Sequence, residues 1–544
     1  MSLHGAAQTN EPVTRKLSLL DCIQLALAHN LQVQINRLDP DIARYALAAT
    51  YGDYDPNLSF SGEHTYRLSP AQYDGVDPQG RNYAGTETEA DVLRGGLTGL
   101  MPWGLNYSLG VSASDTYGTR SSTVLDRSQP TLVTNSFLDI NSGNTISRVI
   151  TNYPEVSSRA PFESADANVG FLSLRQPLLR NFWVDSTRLQ ILLNRSDLRI
   201  SDLALRQQIM TTITQVEEAY YNLFFAQENI KVQEAALGLA ERLLAENRKR
   251  VEVGALAPLD EKQAEAQAAG NRAELIAARG NEDTQQRVLK LLLSDDYSKW
   301  TNVRIVPAEP AVALPMRFDL QESWRNGLSR RPDLEQQRIA LEKQGHIVRF
   351  QKNQALPSVD LVGSYGYRGT GDEFADAFDQ VGRTDYPYWS YGAELSMPLS
   401  RTASRNNLRS AKATRDQIIL QVRQLEQRVL VEIENALANA STAFQRATAT
   451  REARTYAQAA LDAEQKKLEN GKSTNFEVLR LQRDLTTARS EEIRAVADYN
   501  IALARVAFSE GTTLERRNVT MEVVKGAGSY SDGGSGEFSP LPSK

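Results

Sequence analysis

Side chains able to do covalent or metal chemistry are few in this chain and poorly placed to cooperate. The histidines are His4, His29, His64 and His346; there is one cysteine, Cys22, and there are six methionines. Acid–base catalysis needs such groups within hydrogen-bond reach, and a metal site needs ligands at short, defined spacings. No histidine here shares a spacing with acidic or cysteine ligands. No nucleophile elbow, phosphate-binding loop or His-Glu-x-x-His pair occurs. The reading is therefore of no catalytic residues, no metal ligands and no cofactor. The methionines do not cluster as a copper or silver path would require. Cys22 rules out an internal disulfide. With Leu19, Ile23 and Ala26 it falls on one apolar helix face, the place of a small buried residue.

Chemistry of surfaces is what remains. The 544 residues carry a net charge of −6 without basic blocks, so nothing points to nucleic acid. Aromatics at 7% and long Ala/Glu/Gln/Arg stretches argue for extended helices packed side by side. No run of eighteen apolar residues offers a transmembrane helix. The opening MSLHGAAQTNEPVTRK lacks the apolar core of a signal peptide, so the chain reads as cytosolic as written or as exported with its signal removed, and removal is the expectation. No cysteine is placed to carry an acyl anchor.

Two halves of the chain repeat. LALAHNLQVQINRLDPDIARYALAATYGDYDPNLSFSG aligns with NGLSRRPDLEQQRIALEKQGHIVRFQKNQALPSVDLVGS, placing Leu27 over Leu328 and Pro56 over Pro357. FLSLRQPLL aligns with GAELSMPLS, and VEVGALAPLDEKQAE with LENGKSTNFEVLRLQ. The first repeat, 17–310, reads as helix 19–52, strands about 57–67 and 166–177, long helix 185–252, tip 253–258 and helix 259–293. The second, 311–510, reads as helix 319–355, strands about 357–367 and 390–398, long helix 402–469, tip 470–475 and helix 476–509. An extra 80 residues separate the first pair of strands. They hold a further strand at 103–114, a poorer candidate at 84–94, and a loop-like stretch over 115–165. Residues 1–16 read as a flexible extension and 511–544 as a largely disordered tail.

The long helices show heptads, for example Ile209, Ile213, Val216, Tyr220 and Leu223, and Val478, Leu481 and Leu485. At 1.5 Å per residue the proline-free intervals from Pro177 to Gly254 and from Pro398 to Gly471 would make rods about 110 Å long. Gly254 and Gly471 suit helix C′ positions, so both tips read as helical hairpins. In WGLNYSLGVSAS apolar residues alternate with small polar ones, a strand with one greasy and one wet face. Strands of about ten residues fit a tilted crossing of hydrocarbon. Tyr54, Tyr66, Trp103, Trp183, Tyr388 and Trp389 lie near strand ends, as an interfacial girdle requires. Because open edges are not tolerated in lipid, several chains must share one barrel. Each half must supply an even number of strands for its helices to return to one side.

This order of parts resembles the outer-membrane efflux protein family, the TolC-like trimeric channels of Gram-negative bacteria, from residue 17 to about 510. The resemblance is carried by LSLLDCIQLALAHNLQVQ and GLSRRPDLEQQRIALEKQ, the strand end LSLRQPLLR, and the tips RVEVGALAPLDEKQAEAQ and LENGKSTNFEVLRLQRDL. It implies a mainly α fold with transmembrane β: a homotrimer sharing one outer-membrane β-barrel, continuous with a long periplasmic coiled-coil α-barrel, with an internal two-fold repeat. The implied function is a passive exit duct of a tripartite efflux pump or type I secretion system. Its implied partners are a periplasmic adaptor (membrane fusion) protein, an inner-membrane pump of RND or ABC type, and outer-membrane lipid. Adaptor docking would fall to the tips, with Val253, Gly254, Leu256, Leu259, Gly471, Phe476, Val478 and Leu479 as candidates. Candidates for the periplasmic constriction are Asp260, Glu477 and Arg480, with a solvated helix face as the alternative for all three. Family barrels commonly take four strands per protomer; the insertion could raise that to six, or its hairpin could fold back outside. The rival reading is a soluble periplasmic coiled-coil adaptor or scaffold.

Overall fold

The computed structural model describes residues 13–69, 86–139, 142–254, 257–470 and 472–519. Along the chain, β1 (Val13–Leu17) leads into α1 (Leu19–His29) and α2 (Leu31–Tyr51). Next come β2 (Asn57–Ser69), β3 (Thr86–Leu100), β4 (Asn106–Leu125), β5 (Thr131–Leu138), β6 (Thr145–Asn152) and β7 (Glu155–Pro177). The long helices α3 (Ser186–Glu252) and α4 (Pro258–Leu293) follow, then β8 (Val303–Pro307). The second half holds α5 (Leu320–Arg330), α6 (Pro332–Gln354), β9 (Ser358–Gly371), α7 (Phe374–Arg383), β10 (Pro387–Ser396), α8 (Thr402–Glu469), α9 (Asn475–Ser509) and α10 (Thr513–Arg516). These elements divide into two units. A sheet unit takes Ala48–Leu192 and His346–Lys412; a helical unit takes the rest.

Each expected opening helix is broken once, and at matching places. Ser18 starts α1 through a capping box with Asp21. Asn30 ends it, then turns its side-chain oxygen to the Gln32 and Val33 amides and so caps α2. In the second half Arg331 ends α5 because the next residue, Pro332, disfavours a helical residue before it. Expectations of single helices over 19–52 and 319–355 are corrected accordingly.

The helical unit is held by the faces that the heptads marked. Leu19, Cys22, Ile23 and Ala26 of α1 pack on Ile209, Ile213, Val216, Tyr220 and Leu223 of α3, joined by Leu289 and Leu293 of α4. Val429, Ile433, Leu437 and Ala440 of α8 form a second core with Val506 of α9 and Trp324 and Leu328 of α5. A Cβ at Gly327 would stand 2.4 Å from Ile433 Cδ1, so α5 approaches α8 closely only because this residue is glycine. Gly327 aligns with Ala26 in the repeat, and both are the small residues at a helix crossing.

Both chain ends differ from expectation. Residues 13–17 are not flexible: β1 pairs in parallel with β8, Val13↔Val303 to Leu17↔Pro307. The partner lies almost 300 residues away, so no local signal announces it. In the tail, α10 places Leu514 in the first core, and Arg517 reaches the buried Glu217 at 2.6 Å. A second ion pair, Arg330 with Glu515, and the Arg516 bond to the Leu503 carbonyl at 2.7 Å add to these, so contacts with distant segments order a stretch too short for helical periodicity. The residues beyond 519 lie outside those described.

Burial pushes the Cys22 thiol up to about 12. The thiolate is the reactive form, so iodoacetamide at pH 8 should leave Cys22 unmodified in the folded protein and alkylate it in denaturant. Comparable rates in both states, measured by intact mass, would show that α1 is not seated on α3.

Candidate functional site

β2, β3, β4, β7, β9 and β10 form one antiparallel sheet in the order β10-β9-β7-β4-β3-β2. The expected strands at 57–67, 166–177, 357–367 and 390–398 fall within β2, β7, β9 and β10. The β3–β4 hairpin does not fold back; it is built into the sheet between β7 and β2. Residues 115–165 are corrected from loop to strand. β4 continues to Leu125, β5 and β6 form a hairpin, and β7 begins at Glu155. The expected strand at 103–114 starts only at Asn106, and Trp103 lies in the β3–β4 turn.

Two neighbouring rows of the sheet show what it can do. In register across all six strands run Leu58, Leu97, Leu109, Leu172, Tyr365 and Trp389. The adjacent row is Asn57, Thr98, Ser108, Ser173, Ser364 and Ser390. Successive residues of a strand point to opposite faces, so one face is wholly apolar at this level and the other wholly hydroxyl and amide. In this row the apolar side chains are open: Leu58 is 63% exposed, Trp389 64% and Leu109 43%, whereas Ala113, Ala165 and Ala167 farther along the same face are buried.

The apolar face has limited height. On β4 it runs through Tyr107, Leu109, Val111 and Ala113, then meets Asp115. On β3 it passes Leu97 and Leu93, then meets Asp91, Glu89 and Glu87. Eight residues of tilted strand cover about 20 Å, close to the lipid-facing band of a membrane barrel. Above it, Asp91 pairs with His64 at 2.8 Å, and Tyr66 donates to Glu87 at 3.1 Å. β4 and β7 run well past this level with polar residues on both faces. Such strands lack alternation, which is why they read as loop. Over β7 and β9, α7 seats Ala377 and Val381 on Ala165 and Ala167.

The polar face carries paired charge. Arg175 donates to Asp360 at 2.8 Å and to Glu394 at 2.5 Å. Arg368 pairs with Asp166 at 3.1 Å and Arg94 with Glu63 at 3.6 Å. The sequence reading missed these groups, whose partners are far apart in the chain. Of the aromatic candidates, Tyr54, Trp103 and Trp183 lie at the end of the sheet where helices enter and leave. Tyr66, Tyr388 and Trp389 lie toward the other end. Trp183 stacks under the Arg188 guanidinium, 4.4 Å from its ring centre. Trp389 stacks on Tyr391 on the apolar face, whereas Tyr388 sits on the polar one.

At the tips, α3 ends on Gly254 with φ +78°, the left-handed conformation that suits glycine. Pro258 opens α4, and Thr474 caps α9 through the Glu477 amide. Val253, Leu259 and Phe476 are exposed. Val478 is not available to a partner, being buried against Leu461 and Leu485; Leu479 is mostly buried and shows only its edge in the groove described next. Leu256 and Gly471 lie outside the described residues. Glu477 pairs with Arg480 at 2.8 Å one turn on, and Asp260 stands half-exposed in the first turn of α4. Between α3, α4 and α9 runs a groove lined by Ala236, Ala266, Gly270, Phe476 and Leu479.

The profile of the family described as "Outer membrane efflux protein" matches residues 158–294 and 325–512. "Outer membrane protein TolC" of Vibrio cholerae is 24% identical over 378 residues, covering 66% of this chain and 80% of that protein. "Alkaline protease secretion protein AprF" of Pseudomonas aeruginosa is 25% identical over 361 residues, covering 64% and 70%. The Campylobacter jejuni CmeC outer membrane channel superposes with a TM-score of 0.62 at 15% identity, over 94% of this chain and 90% of that one. The Vibrio cholerae outer membrane protein VceC gives 0.61 at 16%, over 91% and 96%. The two structural likenesses show a common fold.

The two faces make a direct prediction. Leu109→Arg should cost about 2–4 kcal/mol of insertion free energy, and the neighbouring Ser108→Arg close to nothing. Folding yield into lipid vesicles measures both; equal losses would contradict the face assignment.

Proposed function

The chain belongs to the outer membrane efflux protein family, and on that premise we propose how its own residues perform the family's task. It is a homotrimeric outer-membrane exit duct that works with a periplasmic adaptor and an inner-membrane pump, and it performs no chemistry of its own. The observation that carries this is the pair of rows Leu58–Trp389 and Asn57–Ser390. A wall one residue thick with oil on one side and hydroxyls on the other separates lipid from an aqueous bore. A soluble scaffold has no use for a line of six apolar side chains of which five are exposed.

The bore-facing charges lie against opposite charge, Arg175 between two carboxylates and Arg94 and Arg368 with one each, so the wall sets no strong preference for ion sign. At the periplasmic tips the Glu477–Arg480 pair is solvent-exposed, and such pairs contribute little to stability. Its effect is on the field: Arg480 offsets Glu477 and leaves Asp260 as the acid of the constriction. Adaptor docking is assigned to Val253, Leu259 and Phe476 and to the groove beside Ala266 and Gly270. Small residues there let a partner helix approach closely. Val478 and Leu479 support the tip from within.

Phe476→Asp and Leu259→Asp should each weaken adaptor capture at least tenfold, while heat-resistant trimers still reach the outer membrane. Val478→Asp should instead destabilise the tip by about 2–4 kcal/mol, because it leaves a charge inside the hairpin. Adaptor cross-linking and thermal melts separate the two classes; unchanged adaptor capture in both exposed variants would refute the docking assignment. Arg480→Gln should shift the reversal potential in planar bilayers toward cation preference, and Glu477→Gln toward anions. No shift in either would remove these residues from the constriction.

A further inference from the structure

Among the described residues, β2 and β10 are the two strands of the six-stranded sheet with one side unpaired. Every residue of β10, and of β2 from Asn57 to Leu68, is exposed. In lipid an open edge leaves a line of backbone donors and acceptors unsatisfied, at several kcal/mol each. Something must pair with both edges.

We propose that the occupant is a second copy of this chain, β2 of one copy pairing antiparallel with β10 of the next, so that three copies close a barrel of eighteen strands. This rests on the homotrimer read above and fixes what the family relationship leaves open: the size of the barrel and the seam that makes it. Three features support the seam. First, β2 runs away from the helix-bearing end of the sheet and β10 runs back to it, so neighbours meet antiparallel. Second, the faces match. Leu58, Phe60 and Tyr66 of β2 share the apolar face with Trp389, Tyr391, Ala393 and Leu395 of β10.

Third, the stagger closes. The row beginning at Leu58, the second residue of β2, arrives at Trp389, the third residue of β10. Pairing the next copy's Asn57 with Ser396 brings its Leu58 beside Leu395, six residues farther along β10. Repeated three times, this accumulates eighteen residues of stagger over eighteen strands. At about 3.3 Å per residue and about 4.8 Å between strands, the strands tilt by about 35°, inside the range of membrane barrels. Sliding the seam by two residues one way gives about 25°, outside that range; the other way gives about 43°, within it. The seam is thereby confined to two registers. One chain cannot close on itself, since membrane barrels begin at about eight strands. Eighteen strands make a wall about 34 Å across, against about 23 Å for twelve, so the β3–β4 hairpin widens the exit.

Cysteine pairs test the seam in a Cys22→Ala background, with residues chosen from the polar face. Ser390→Cys is combined with Glu63→Cys for the first register or with Thr65→Cys for the second. Oxidation of outer membranes should produce covalent dimers and then covalent trimers from one of the two pairs. A heat-resistant, membrane-inserted trimer in which neither pair links copies would overturn the seam while leaving the duct intact. Failure of the unsubstituted chain to form any membrane-inserted oligomer would instead overturn the functional reading. Covalent dimers without trimers would mean a twelve-strand closure and would refute the count. The unsubstituted protein gives an independent reading: a section through the barrel of the purified trimer should show eighteen strands, and twelve would refute the proposal.

Discussion

A backbone N–H or C=O facing hydrocarbon with no partner costs several kcal/mol, and no water is there to supply one. Much of the sheet unit answers to this. Its inner strands are paired on both sides through ladders broken only by register shifts at Gly110/Ser112 and Val169/Leu172, and the inserted hairpin, which would be intolerable as a loose flap in lipid, is paired in the same way. The same demand makes a single chain incomplete. Six strands satisfy their neighbours and leave two edges that another copy must meet.

Side chains then decide which way the wall faces. The row Leu58–Trp389 has no counterpart on the opposite face, where Asn57, Thr98 and four serines stand instead. Charge on the polar face is tolerated because it is paired and close to water. The buried Asp360 leans on Arg175 for compensation. Beyond about eight residues the apolar requirement lapses: β4 and β7 continue as paired strands, and α7 covers Ala165 and Ala167 there.

The helical unit solves a different problem with the same duplication. Long rods have too little surface per turn to make a globular core, so each is pinned where a short helix crosses it. α1 pins α3 and α5 pins α8, with Ala26 and Gly327 as the small residues that allow close approach. Toward the tips the packing narrows to small clusters such as Leu461, Val478 and Leu485. That leaves Val253, Leu259 and Phe476 uncovered.

Much of this was legible in the sequence, for a physical reason: periodicity encodes which face is buried, and it needs no knowledge of the partner. Heptads in α3, α8 and α9, glycine at the α3 tip, alternation in β2 and β4, and the repeat offset all follow from local rules of helix and strand geometry. So does the buried position of Cys22. What alternation could not show was any strand without one apolar and one polar face, which hid β5, β6 and the outer reaches of β4 and β7. Heptads could not say that Val478 and Leu479 point inward, because the face a tip residue uses depends on which helix it meets. Contacts between distant segments were equally silent: β1 with β8, Leu514 in the first core, Arg175 with Asp360 and Glu394. Sequence by itself determined the elements and their two-faced character, since those are set within a few residues of backbone. Only the tertiary structure decided that the hairpin belongs in the wall and that six strands stand side by side, because strand order is set by hydrogen bonds between segments that no local pattern relates.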